Sequence, residues 1–222
     1  MSLYTLSKSD MHGAVPTADK LRIEISNDVL MLSLLCNIPT VDVHIRLANG
    51  NIAFVAYLDN KPAAFGWMAT YRAKIGELNH EFVLPEGNRY LWNFRTLESF
   101  RGKGIYPALL HYIMTNGDDN AIRFWIIHAP ENTASLRGIR KAGFKYVGKL
   151  YIDTNNAATL ESNEVSLGLR DQLEHMNIAF SDKRASSCWN CSSPFLKKRN
   201  NKCCCAETNT ECVGKRMLSP IY

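Results

Sequence analysis

Residues Phe94 to Met114 read FRTLESFRGKGIYPALLHYIM, and no other stretch constrains the fold as strongly. A branched, extended segment runs into Arg101-Gly102-Lys103-Gly104, and an apolar run with helical spacing follows. Glycines at a strand-to-helix junction let the chain turn tightly and present its amide N–H groups. The helix behind them adds unpaired N–H groups and a partial positive charge. The junction therefore predicts an anion site suited to a pyrophosphate, with Arg101 and Lys103 adding charge at its edge. Neither common phosphate loop fits. A Walker loop needs Lys followed by Ser or Thr, but Gly104 follows Lys103. A dinucleotide fingerprint needs a third glycine where this chain has Pro107. The alternative is that Gly102 and Gly104 serve only a turn.

The flanking segments predict the setting of this junction. Lys20 to Ser26 alternates like a strand, and the helical pattern after it has Asn27 as a possible cap. NIAFVAYL and AAFGWMATY read as a hairpin around Asp59 to Pro62. Arg89 to Leu97 is a fourth strand and Ile122 to Ala129 a fifth. Tyr106 to Gly117 between them is a helix, with Pro107 tolerable in its first turn. A short helix ending at Gly143 follows, then strands at KYVGKLYI and NEVSLGLR. The pattern predicts an α/β fold: a mixed, mainly antiparallel central sheet of about seven strands flanked by helices.

Charge and cysteine divide the chain near residue 183. Residues 183–222 hold eight of the 26 Lys and Arg and two of the 21 Asp and Glu, so they carry +6 and residues 1–182 carry −1. The basic balance belongs to the tail, and the body has no electrostatic support for nucleic-acid binding. Six of the seven cysteines also lie in the tail, and Cys36 alone lies in the body, as a small buried hydrophobe. We expect a domain over 1–182 and a basic, Cys-rich tail over 183–222. Cys188, Cys191, Cys203 and Cys212 are candidate ligands for a structural zinc. Acylation of Cys203 to Cys205 beside KKRNNK is a second possibility and the sole membrane contact expected; a disordered tail is a third. No apolar run approaches the roughly 20 residues of a bilayer span, and the N-terminus lacks a signal-peptide core, so the expected location is cytoplasmic.

A second motif assigns the first. PENTASLRGIRKAGFKYVG places Asn132 just after a strand, then Ser135, a short helix and Gly143-Phe144 before another strand. Together, Arg-x-x-Gly and Asn-x-x-Ser…Gly-Phe resemble the GNAT superfamily of acyl-CoA-dependent N-acyltransferases. The resemblance implies that the fourth strand bulges and splays from the fifth, with pantetheine lying in the wedge against the backbone of Thr96 and Leu97. It implies a pyrophosphate on the amides of Arg101, Gly102, Lys103, Gly104, Ile105 and Tyr106, and a contact from Asn132 to the pantetheine arm. The bland reading of Asn132 is a helix cap. Tyr106 stands where the family often has a small residue, and we expect it to point outward. Ile139 stands where many members have the tyrosine that protonates the leaving thiolate.

The implied reaction is acetyl transfer from acetyl-CoA to a small amine or a protein amine, which must lose a proton before it attacks. The fourth strand, YLWNFRT, carries no carboxylate to serve as base. His128 ends the fifth strand and has a suitable ordinary pKa, its alternative being a core histidine. Glu77 and Glu81 are the other candidates, their alternative being a solvated loop. Trp67, Trp92 and Trp125 read as core or wedge lining. Two other readings fit the same residues: an acyl-CoA-binding or sensing module without turnover, and an adaptor acting through its tail.

Overall fold

The computed structural model describes residues 1–11, 13, 18–129, 132–161 and 165–183. In chain order the elements are β1 (Ser2–Ser7), β2 (Leu21–Ile25), α1 (Val29–Cys36), α2 (Thr40–Ala48), β3 (Asn51–Leu58), β4 (Lys61–Ala69), β5 (Arg72–Ile75), β6 (His80–Val83), β7 (Asn88–Thr96), α3 (Ile105–Asn116), β8 (Arg123–His128), α4 (Thr133–Lys141), β9 (Lys145–Ile152), β10 (Ala158–Glu161), α5 (Leu167–His175) and β11 (Ala179–Ser181). Nine strands form one sheet in the order β11-β10-β9-β1-β8-β7-β4-β3-β2, and β5 with β6 forms a separate ribbon. Within the large sheet β7–β8 and β10–β11 pair in parallel, and the other neighbours are antiparallel. The mixed, mainly antiparallel sheet with flanking helices is the expected class, with more strands than predicted. Among the described residues no single helix is long and apolar enough to cross a membrane.

Local chemistry accounts for the elements that were legible. Asp59 and Asn60 both have positive φ, 50° and 61°, which closes the β3–β4 hairpin in two residues with the twist of its strands. The carboxylate of Asp28, not Asn27, caps α1 by accepting from the Met31 amide at 3.0 Å. Three elements depart from expectation. β1 sits mid-sheet between β8 and β9, buried on both faces, so its sequence shows no alternation. Arg72 to Val83 is not an open polar loop, because Ala73, Ile75 and Phe82 alternate inward from the ribbon. Of the strand expected at NEVSLGLR, the first two residues lie outside the described residues and the last four, from Leu167, start α5. Leu169, Leu173 and Met176 recur at helical spacing and pack into the apolar cluster of Phe82, Trp125 and Leu160.

One irregularity positions everything that follows. Phe65 pairs with Arg95 and Trp67 with Trp92, so β7 spends three residues where β4 spends two. The extra residue is a bulge at Asn93, whose φ is 51°. The parallel ladder between β7 and β8 runs from Asn88 and Arg123 only to Leu91 and Ile126. Beyond it, β7 continues against β4 as far as Thr96, and β8 continues against β1 as far as His128. The sheet therefore splits into two halves at its centre.

The ribbon is tied to the body by His80. Its ring donates to the Met176 carbonyl across 2.8 Å and stacks on Phe82 at 5.4 Å. Burial holds its pKa below the ordinary histidine value of 6.5. Between the two values the unfolded chain binds the extra proton, so stability rises with pH there. The contribution is intact above about pH 6.5 and is lost as pH falls toward the folded value. We expect the urea midpoint to drop between about pH 7.5 and 5.5, and His80→Gln to lose part of that dependence. An equally steep drop in the variant would assign the effect to other groups.

Candidate functional site

A cleft of about 740 Å3 opens between the end of β7, the β7–α3 junction and α4. Thr96, Arg101, Gly102, Gly104, Ile105, Tyr106 and Asn132 all line it, so one wall gathers both sequence motifs. Gly102 and Gly104 have φ of 79° and 73°, in the left-handed region, which is why the turn uses glycine. Gly104 caps α3, and the residues after it point first-turn amides outward; Pro107 lacks an amide at a position that needs none. Arg137 and Lys141, one helical turn apart on α4, add two cations opposite the junction. Oriented amides, a helix terminus and converging cations make a site for a polyphosphate.

Two predicted contacts are placed differently. The Leu97 amide donates to the Ala63 carbonyl at 2.8 Å, and its own carbonyl accepts from the Phe100 amide at 3.0 Å. The Leu97 amide is thus used inside the fold and cannot be offered to a ligand, and its carbonyl already has one partner. Alternate residues of a strand turn their polar groups to opposite edges, so Thr96 and Phe94 face the splay instead. Lys103 is not part of the cleft lining; its ammonium lies 5.5 Å from the centre of the Phe100 ring.

A second cleft of about 790 Å3 passes through the splay itself. Its walls include Tyr90, Trp92 and Ile127 from one face of the sheet and Leu91, Ile126 and His128 from the other. Phe94, Tyr106, Asn132 and Ser135 line both clefts and form the waist between them. Tyr106 does not point outward as expected. Its ring packs edge-on to Phe94 at 5.5 Å and lies against Gly138, where an added Cβ would come within 2.3 Å of it. Its hydroxyl is 3.5 Å from Ser135 Oγ, and burial pushes its pKa up to about 12. Ile139 beside it is fully buried.

His128 lines the second cleft and is buried. Its Nε2 lies 2.8 Å from the Asn132 carbonyl, which can only accept, so Nε2 carries hydrogen and Nδ1 holds the lone pair of the neutral ring. The Asn132 side chain is the N-cap of α4, accepting from the Ser135 amide at 3.0 Å. Glu77, exposed on the turn of the ribbon, also reaches the cleft wall. Glu81 is brought elsewhere: it pairs with Lys74 at 2.8 Å on the exposed ribbon, and that ammonium holds its carboxyl below the usual range. A depressed carboxyl pKa makes a poor base. Cys36 is half-buried and in the cleft wall, not deep in the core; it accepts from Trp67 Nε1 at 3.4 Å. Trp67 and Trp125 are core, and Trp92 is cleft wall.

Arg46, Arg137 and Lys141 went unnoticed in the sequence. The i, i+4 spacing of Arg137 and Lys141 was the signal for that pair, whereas nothing local marks Arg46. The four tail cysteines named above lie outside the described residues. Among the described residues no group of three or more His, Cys, Asp or Glu side chains could hold a metal.

The Acetyltransferase (GNAT) family profile matches residues 30–144, just over half the chain, and the protein belongs to that family. Its members are acyl-CoA-dependent N-acetyltransferases. Similar solved structures include a GCN5-related N-acetyltransferase from Kribbella flavida, 15% identical with a TM-score of 0.46 over 65% of this chain and 53% of that one. This chain thus spans about half that protein's length. AAC(6')-Ib, solved with paromomycin and acetyl-CoA, is 17% identical with a TM-score of 0.47 over 63% of this chain and 90% of that one. RimL, a ribosomal L7/L12 alpha-N-protein acetyltransferase solved with coenzyme A, is 15% identical with a TM-score of 0.46 over 64% and 89%. No curated protein matches the chain in sequence.

Gly104→Glu places a carboxylate at the helix terminus and strains a left-handed backbone. Gly104→Ala carries the strain, about 1–2 kcal/mol, without the charge. By calorimetry we expect coenzyme A affinity to fall more than about tenfold further in the Glu variant than in the Ala variant. Equal affinities would remove the junction as a phosphate site.

Proposed function

We propose that the protein transfers an acetyl group from acetyl-CoA to a primary amine by direct attack in a ternary complex. One observation carries the reading: a basic cleft and an amine-sized cleft meet at a waist inside the splay of β7 and β8. The phosphates of acetyl-CoA lie on the amides of Gly102 to Tyr106, with Arg101, Arg137 and Lys141 around them. Pantetheine runs along the open edge of β7 as an added strand, taking backbone hydrogen bonds at Thr96, with Asn132 beside it. The acceptor enters the second cleft from the opposite face. A channel through the sheet lets two substrates meet without sharing an entrance.

At the waist the amine nitrogen attacks the thioester carbonyl carbon. The C–N bond forms and the C–S bond breaks, giving amide and thiol. The proton lost by the amine goes to His128 Nδ1, directly or through water, with Nε2 fixed on the Asn132 carbonyl. Glu77 is the remaining acidic group on that side. The leaving sulfur takes a proton from Tyr106, the phenol that lines both clefts. Its raised pKa keeps that hydroxyl protonated throughout the neutral range. Tyr106 thus supplies from α3 what Ile139 cannot supply from α4. The location proposed for such an enzyme is the cytoplasm.

His128→Gln should slow kcat about a hundredfold and alter its pH profile. A fully folded Gln variant with an unchanged pH profile would take His128 out of the mechanism and leave Glu77.

Tyr106→Phe keeps the ring on Gly138 and deletes the donor. It should lower kcat by about tenfold to a hundredfold while leaving the calorimetric affinity for acetyl-CoA intact. A second readout is the preference for coenzyme A over its desulfo analogue as pH rises. That preference should grow in the wild type, where the phenol meets the thiolate, and stay flat in the Phe variant. Equal behaviour of the two proteins in both measurements would exclude the phenol as the acid.

A further inference from the structure

The second cleft holds a cation that the chemistry above does not use. Arg46 projects from the last turn of α2 and lines this cleft beside Cys36, Ile38 and Trp92. Its guanidinium carbon lies 4.7 Å from the Trp92 ring centre and 5.2 Å from that of Trp67. The support behind it is built. The Arg46 carbonyl accepts from Asn51 Nδ2 at 3.0 Å, and Asn51 Oδ1 accepts from Trp92 Nε1 at 3.2 Å. Helix end, asparagine and indole thus form one chain that holds the arginine against its aromatic neighbours. Trp67 is held in turn by its hydrogen bond to Cys36.

Nη1 of Arg46 is buried and, among the described residues, meets no hydrogen-bond acceptor. Burial works against its charge and lowers its pKa. Two groups oppose this: the neighbouring Cys36 thiol, and Asp42, a turn earlier on the same helix and exposed to solvent. Aromatic faces stabilise a cation but accept no in-plane N–H bond. A desolvated donor without an acceptor is costly, and such groups are commonly completed by a ligand. A guanidinium is a planar fork that matches a carboxylate in two hydrogen bonds.

We propose that the acceptor is an amine that also carries a carboxylate, and that Arg46 receives that carboxylate. This rests on the acetyltransferase reading and narrows it to a substrate class: amino acids and related zwitterions. The charge of the cleft points the same way. Its charged walls are Arg46, Lys74, Glu77 and the Met1 ammonium; Lys74 is already paired with Glu81, and the ammonium donates to the Leu150 carbonyl. The excess of positive charge suits an acceptor with an anionic end. It disfavours polycations such as polyamines and aminoglycosides, which would meet Arg46 with like charge. The carboxylate on Arg46 leaves the amine end for the waist, where His128 and Tyr106 stand.

The test uses the full chain with acetyl-CoA and matched acceptors: the common amino acids, their C-terminal amides, O-phosphoethanolamine, spermidine and kanamycin. Thiol release reads turnover. The carboxylates should exceed their own amides about 10- to 100-fold in kcat/KM, as expected for one charged hydrogen-bonded pair. Arg46→Gln should raise KM for the carboxylates and bring acid and amide level, with kcat on the amides kept. A preference for O-phosphoethanolamine would make the anion a phosphate and overturn the carboxylate assignment. A preference for spermidine or kanamycin, or an acid-to-amide ratio unchanged in Arg46→Gln, would overturn the role of Arg46. Binding supplies the arm that does not depend on turnover. N-acetyl amino acids, as products, should change tryptophan fluorescence in the wild type through Trp92 and Trp67, and not in Arg46→Gln. No response in the wild type, with coenzyme A binding intact, would sink this inference alone; loss of coenzyme A binding would sink the acetyltransferase reading.

Discussion

The parting of β7 from β8 governs this molecule. Two central strands that pair for four residues and then separate leave backbone N–H and C=O groups facing each other across a gap. Elsewhere such groups are matched strand to strand, and unpaired ones are costly when water is excluded. The bulge at Asn93 opens the gap, because an extra residue turns the end of β7 toward β4. What remains is an unoccupied strand position in the middle of a sheet, continuous with a glycine turn and a helix terminus. An extended ligand with a polyphosphate at one end fits that shape. The flanking β1–β8 and β4–β7 ladders keep the two halves rigid, so the gap is a stable feature of the fold.

The waist is the second consequence. Tyr106 leaves the first turn of α3, crosses to Gly138 on α4, and meets Phe94 from β7. It can do so only because residue 138 has no side chain. Three elements thereby converge on one phenol, at the point where two clefts approached from opposite faces meet. Burial explains its raised pKa: a phenol short of solvent keeps its proton and stands as a hydrogen-bond donor to a neighbouring anion. The second cleft shows the same logic with opposite charge. There the indoles of Trp67 and Trp92 hold a guanidinium whose Nη1 meets no acceptor among the described residues.

The glycine turn before α3 was legible because its physics is local. Left-handed turns need glycine, and the helix that follows declares itself by apolar spacing. The hairpin at Asp59 and Asn60 and the alternating strand at Leu21–Ile25 were readable for the same reason. β1 was not, since a strand covered on both faces has no polar period. α5 was misread as a strand because a short apolar pattern fits either period until its packing partners are known. Of the paired candidates, Glu77 and Glu81 look alike in sequence. Only the ribbon register, which sets Lys74 opposite Glu81, separates them.

By itself the sequence determined the class of fold, the glycine turn into α3, the candidate roles of Asn132 and the absence of a tyrosine at residue 139. All of these follow from residue types within a few positions of one another. Tertiary structure alone decided that the Leu97 amide is used up by Ala63 and that Lys103 lies by Phe100. It alone set Tyr106 inward and left Arg46 between two indoles with a donor to spare. Those outcomes depend on which distant surfaces meet, and a side chain's direction is settled by packing against them, not by its neighbours along the chain.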